Sequence, residues 1–144
     1  MTTKVYFEDV KVGDEVPPFV KQADLMHWNR FAAVNDEFVY IHMDEEAGRN
    51  GGNAQGVFGM GNLRWAYLQN MLRNWIGDEA EVREMSAQFR AVNQKHDVLT
   101  CTGTITEKKI EGKDHLVRLD INVMNQDGKG TTPGYAVVAL PSRT

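Results

Sequence analysis

The chain has 144 residues, 42% hydrophobic and 25% charged, with a net charge of -4 and a pI near 5.5. That is the length of one ordinary domain, able to bury about two-thirds of its unfolded surface without staples, so residues 1–144 are expected to form a single unit. The acidic balance, with no run of Lys and Arg, argues against nucleic acid as a partner. Cys101 is the single cysteine, which precludes an internal disulfide and suits a reducing compartment. The opening Met-Thr-Thr-Lys-Val-Tyr-Phe-Glu-Asp has no apolar core of the signal-peptide kind, and no later apolar run is long enough to span a membrane. A cytoplasmic location is expected.

In chain order, a lead-in with a Gly13-Asp14 turn precedes a first strand over about residues 18–23. Asp24 is a good N-cap, and Leu25, Trp28, Phe31 and Ala32 share one face at helical spacing, which predicts a helix over 24–35. A short helical turn follows over 44–49, stopped by Gly51-Gly52-Asn53. Gln55-Gly56-Val57-Phe58-Gly59-Met60-Gly61-Asn62 then opens a long helix running to Trp75. Val57, Met60, Leu63, Tyr67, Leu68, Met71, Leu72 and Trp75 recur at three- and four-residue steps, while Arg64, Asn70, Arg73 and Asn74 fall mostly elsewhere. Gly77 is the expected stop. So much of this helix is apolar that the rest of the chain must wrap it.

Beyond Asp78 the period becomes two. Met85, Ala87, Phe89 and Ala91 alternate with Glu84, Ser86, Gln88 and Arg90, and further strands are predicted over 98–107, 117–123 and 135–140. Glu111-Gly112-Lys113 and Asp127-Gly128-Lys129-Gly130 supply turns. The expected architecture is α+β, four of the strands forming an antiparallel meander and one sheet curling round the long helix.

Candidate chemistry concentrates in residues 31–49, where Asp36 and Glu37 precede His42 across the apolar spacer 38–41. A carboxylate and an imidazole against apolar walls can move protons to and from a small substrate. Each residue also has a plainer role: His42 as a structural hydrogen-bonder, the two acids as a solvated helix end, Gly56 to Gly61 as a means of tight packing. Acids near the negative end of a helix do ask for a reason. A metal site from His42, Asp44, Glu45 and Glu46 is rejected, because such a cluster is usually a solvated face. His27, His96 and His115 show no partner pattern, and Cys101 between two threonines fits a small core residue.

The element order, the opening Phe7-Glu8-Asp9-Val10-Lys11-Val12-Gly13-Asp14, the 31–49 stretch and Phe89-Arg90-Ala91 together resemble the MaoC-like hot dog dehydratases, a family that includes (R)-specific enoyl-CoA hydratases. The likeness covers nearly the whole chain. It implies the hot dog fold, an antiparallel sheet wrapped around one long central helix. It also implies reversible hydration of a 2-enoyl thioester of coenzyme A or an acyl carrier protein, with no cofactor and no metal. The family hallmark Asp-x-Asn-Pro-x-His corresponds here to Glu37-Phe38-Val39-Tyr40-Ile41-His42, so Val39-Tyr40 stands in place of Asn-Pro. His42 is then the catalytic imidazole. Glu37 is its carboxylate partner in the ungapped match, and Asp36 takes that place if one residue is inserted. Gln55, where many members have His, with Gly56, Val57, Phe58 and Gly59 would approach the substrate at the amino end of the long helix; by their bulk Phe38, Tyr40, Phe58 and Trp65 suit either the lining of its pocket or the core. A homodimer or heterodimer of hot dog subunits is implied. A non-catalytic or thioester-binding subunit paired with an active homologue is the alternative, and thioester hydrolysis is disfavoured because no acid lies between Gly56 and Trp75.

Overall fold

The computed structural model describes residues 4–144; residues 1–3, the first part of the amino-terminal segment considered above, lie outside the described residues. The regular elements are β1 (Phe19–Gln22), α1 (Leu25–Asn35), α2 (Glu45–Asn50), α3 (Gly61–Ile76), β2 (Glu81–Ala87), β3 (Val98–Glu111), β4 (Asp114–Met124) and β5 (Gly134–Leu140). Among the described residues no helix is long and apolar enough to cross a membrane.

Local sequence explains the helix ends. The Asp24 carboxylate accepts from the N–H groups of Met26 and His27, while Gly77, at φ 71°, closes α3 with its N–H on the Arg73 carbonyl. All the strands pair antiparallel in one five-stranded sheet, in the order β1-β3-β4-β5-β2. This corrects the expected four-strand meander. Only β3, β4 and β5 run consecutively, while β2 lies at the far edge against β5. Alternation fixes which face of a strand is buried but not which neighbour it takes, and the ten residues between β2 and β3 are long enough to cross from one sheet edge to the other. The first of these strands is also displaced. It covers Glu81–Ala87 with a register shift between Val82 and Glu84, so Phe89-Arg90-Ala91 lies beyond its end.

The wrapping of the long helix is as the sequence demands. Leu68, Met71, Leu72 and Ile76 of α3 are fully buried in one core with Leu99, Ile105, Leu119, Val123 and Val138 of the sheet and Trp28 and Ala32 of α1. Gly103 in β3 lets the helix come close: a Cβ there would stand 2.9 Å from Val16 and 3.3 Å from the end of Met71. One residue of α3 breaks the expected pattern. Arg64, assigned above to the polar side with Asn70, Arg73 and Asn74, is 3% exposed, whereas those three face solvent.

Candidate active site

The chain must turn sharply between α1 and the sheet. Asp36 makes the turn in left-handed geometry (φ 53°, ψ 37°), a conformation Asp tolerates better than most residues. Its N–H and that of Glu37 both return to the Ala32 carbonyl. A single 3-10 turn, Tyr40–His42, then carries His42 inward, where it is buried. Its Nδ1–H donates to the Phe58 carbonyl at 2.8 Å, and its ring meets the Phe58 ring edge to face at 5.1 Å. A carbonyl oxygen can only accept, so Nδ1 carries a proton, and the tautomer this fixes has its lone pair at Nε2.

Phe58 leads straight into α3, whose first turn has no side-chain cap. The N–H groups of Gly61, Asn62 and Leu63 have no acceptor among the described residues, as geometry requires of an uncapped helix start. The loop beyond β2 is tied to this end, with Gly59 N–H on the Asn93 carbonyl at 2.9 Å. Glycine is required at two places here. A Cβ on Gly59 would lie 2.2 Å from the Asn93 amide, and one on Gly61 2.8 Å from the Phe89 ring.

Between these pieces lies an open recess of about 270 Å³, lined by His42, Phe58, Gly59, Gly61, Arg64 and the Phe89–Val92 segment. Among the described residues no acidic side chain lines it. Arg64 is its buried cation: Nη1 donates to the Ala91 carbonyl at 2.6 Å and to Thr132 Oγ1 at 3.1 Å, and the guanidinium lies 5.3 Å from the centre of the Phe89 ring. Burial pulls its pKa down to about 10. Neither Arg64 nor the Phe89–Val92 segment stood among the candidate site residues read from the sequence. The signal for the segment was Phe89-Arg90-Ala91; for Arg64 it was a charge one turn into a helix that must be wrapped.

The sequence-derived site residues therefore fall into three groups. His42, Phe58 and Gly59 meet in the recess. Glu37 stands beside it: its Oε2 accepts from Asn62 Nδ2, in the first turn of α3, at 3.1 Å, and it makes no hydrogen bond to His42. Asp36 is an exposed helix cap, Phe38 and Tyr40 are exposed on the outer surface, and Gln55 is exposed as well. Gly56 and Val57 are buried behind the recess, where Glu45 anchors them by accepting from Val57 N–H at 2.9 Å and pairing with Lys95. Asp44 caps α2 through Ala47 N–H. His27 pairs with Asp24, and burial pushes the Cys101 thiol up to about 12.

No protein-family model matches the chain, and no curated protein matches its sequence. Its structure is similar to that of R-hydratase PhaJ1 from Pseudomonas aeruginosa, with TM-score 0.84 and 19% identity over 97% of this chain and 88% of that one. It is similar also to a MaoC-like dehydratase from Rhodospirillum rubrum, with TM-score 0.81 and 19% identity over 97% and 99% of the two chains. A third likeness is to the ChsH1–ChsH2 complex from Mycobacterium tuberculosis, with TM-score 0.78 and 17% identity over 90% and 98%. The fold is the α+β hot dog fold that MaoC-like dehydratases and (R)-hydratases share.

The anchor behind the recess has a pH signature. The Lys95 ammonium and, after it, the Val57 N–H hold the Glu45 carboxyl below the usual carboxylate range. A lowered value in the folded state means stability present above that range and lost as pH falls through the lowered value. Glu45→Gln is expected to lower the thermal midpoint at neutral pH, with the gap to wild type closing as pH falls below the carboxylate range. A gap of equal size at every pH would contradict this.

Proposed function

We propose that the protein catalyses reversible addition of water to a 2-enoyl thioester, giving the 3-hydroxyacyl thioester, with the acyl group carried by coenzyme A or an acyl carrier protein. The observation that carries this reading is His42, buried with Nδ1 held by the Phe58 carbonyl in a recess at the free amino end of α3. Nε2 takes a proton from water as its oxygen bonds to carbon 3, and the displaced electron pair moves onto the thioester oxygen. The unpaired N–H groups of the first α3 turn stabilise that oxygen, and the His–carboxylate pair returns a proton to carbon 2. Glu37 is the favoured carboxylate, because its tie to Asn62 holds it at the end of α3 where the reaction is assigned. Asp36, exposed at the end of α1, is second choice.

The protein is proposed to act as a dimer in the cytoplasm. A sheet of this kind leaves β2 with an unpaired edge, and exposed Phe38, Val39 and Tyr40 form an apolar tip for which burial against a second hot dog subunit is favourable. One observation favours the second reading, a subunit that binds thioester or completes an active homologue: neither acid hydrogen-bonds His42, and none lines the recess.

Hydration of crotonyl-CoA and of a longer enoyl-CoA, followed by loss of enoyl absorbance, separates the two. The enzyme reading predicts turnover by the protein alone and a fall in kcat/KM of about 10²–10⁴ in His42→Ala. Activity untouched by that substitution would sink the assignment, and activity only after a second protein is added would favour the subunit reading. In sedimentation at micromolar concentration the chain is expected to run as a dimer; a stable monomer would count against the assembly.

A further inference from the structure

Arg64 has no anionic partner, although it is 97% buried by its 3% exposure. No ion pair among the described residues includes it, and both acceptors of its Nη1, a carbonyl and a hydroxyl, are neutral. Its Nε is sealed from solvent without an acceptor, and its Nη2 has none among the described residues. A buried charge is normally paired, because taking it out of water is costly. The Phe89 ring lies against the guanidinium, and the uncapped start of α3 adds its positive end. In a chain of net charge -4, the recess holds a buried cation and, among the described residues, no acid in its lining.

We propose that the recess takes an acyl group bearing its own carboxylate, bound by Arg64, so that the substrate is the thioester of a dicarboxylic acid. The thioester part rests on the hydratase reading; the anion part rests on Arg64 alone. The phosphates of a coenzyme A or carrier-protein arm lie a full pantetheine length from the reacting carbons, so an anion beside His42 has to belong to the acyl group. The thioester oxygen carries charge only transiently, and the α3 N–H groups already serve it. A permanent cation is suited to a permanent anion.

The test is calorimetric binding of glutaryl-CoA and butyryl-CoA, which differ only by a terminal carboxylate in place of a hydrogen, together with hydration assays on glutaconyl-CoA and crotonyl-CoA. Wild type is expected to bind glutaryl-CoA roughly 10-fold tighter than butyryl-CoA. Arg64→Gln is expected to bring that ratio towards one, and Arg64→Lys to keep part of it. Equal binding of the two thioesters by wild type would overturn the proposal without needing any variant to fold. An unchanged ratio in folded Arg64→Gln would overturn it too, leaving Arg64 as a tie between α3 and the Phe89–Val92 segment. If wild type discriminates 10-fold but hydrates neither enoyl thioester, the carboxylate site stands and the hydratase reading falls. Binding of neither thioester overturns both.

Discussion

A helix packed into a core still begins with N–H groups that have no partner within it. In this molecule one face of α3 is buried in the core, yet its first turn carries no side-chain cap and opens into a recess. Most of the local structure can be understood from that one exposed end. The Phe58 carbonyl, just before α3, fixes His42; Asn62, just inside it, holds Glu37; Gly59 and Gly61 let Asn93 and Phe89 pack close. Moving α3 along its axis would disturb all of these at once.

The energetics permit such an end to carry a charge. Each fully buried Leu, Met or Ile on α3 contributes about 1.5–3 kcal/mol. Leu68, Met71, Leu72 and Ile76 together therefore exceed the several kcal/mol that burying a guanidinium costs. The core can retain Arg64 beside the recess, where a residue chosen for stability alone would be apolar. Such local inconsistency is typical of functional sites.

Much of this was legible in the sequence. Val117, Leu119, Ile121 and Val123 alternate with polar neighbours and are buried as read; Asp24 and Gly77 bound their helices as expected. Pairing order was not legible, because the same buried face would suit β2 beside β3 or beside β5. Within the candidate site, His42 was singled out by its spacing from the two acids and by the hallmark it resembles. The outward position of Phe38 and Tyr40 in the apolar spacer was not legible, since a four-residue loop has no period to read. Arg64 escaped because a polar residue on an amphipathic helix is by default assigned to the wet side, and only three-dimensional packing could show it enclosed. The paired acid, which depends on one side chain's reach, is the part that pattern alone leaves open.

The central claim is that the amino end of α3 is where a thioester meets His42. A crystal structure of the protein with a bound 3-hydroxyacyl-CoA tests it most directly. The account predicts the thioester oxygen within hydrogen-bond reach of the N–H groups at Gly61 and Asn62, and the 3-hydroxyl within reach of His42 Nε2. An acyl group seated elsewhere, with the recess beside His42 left to solvent, would contradict it.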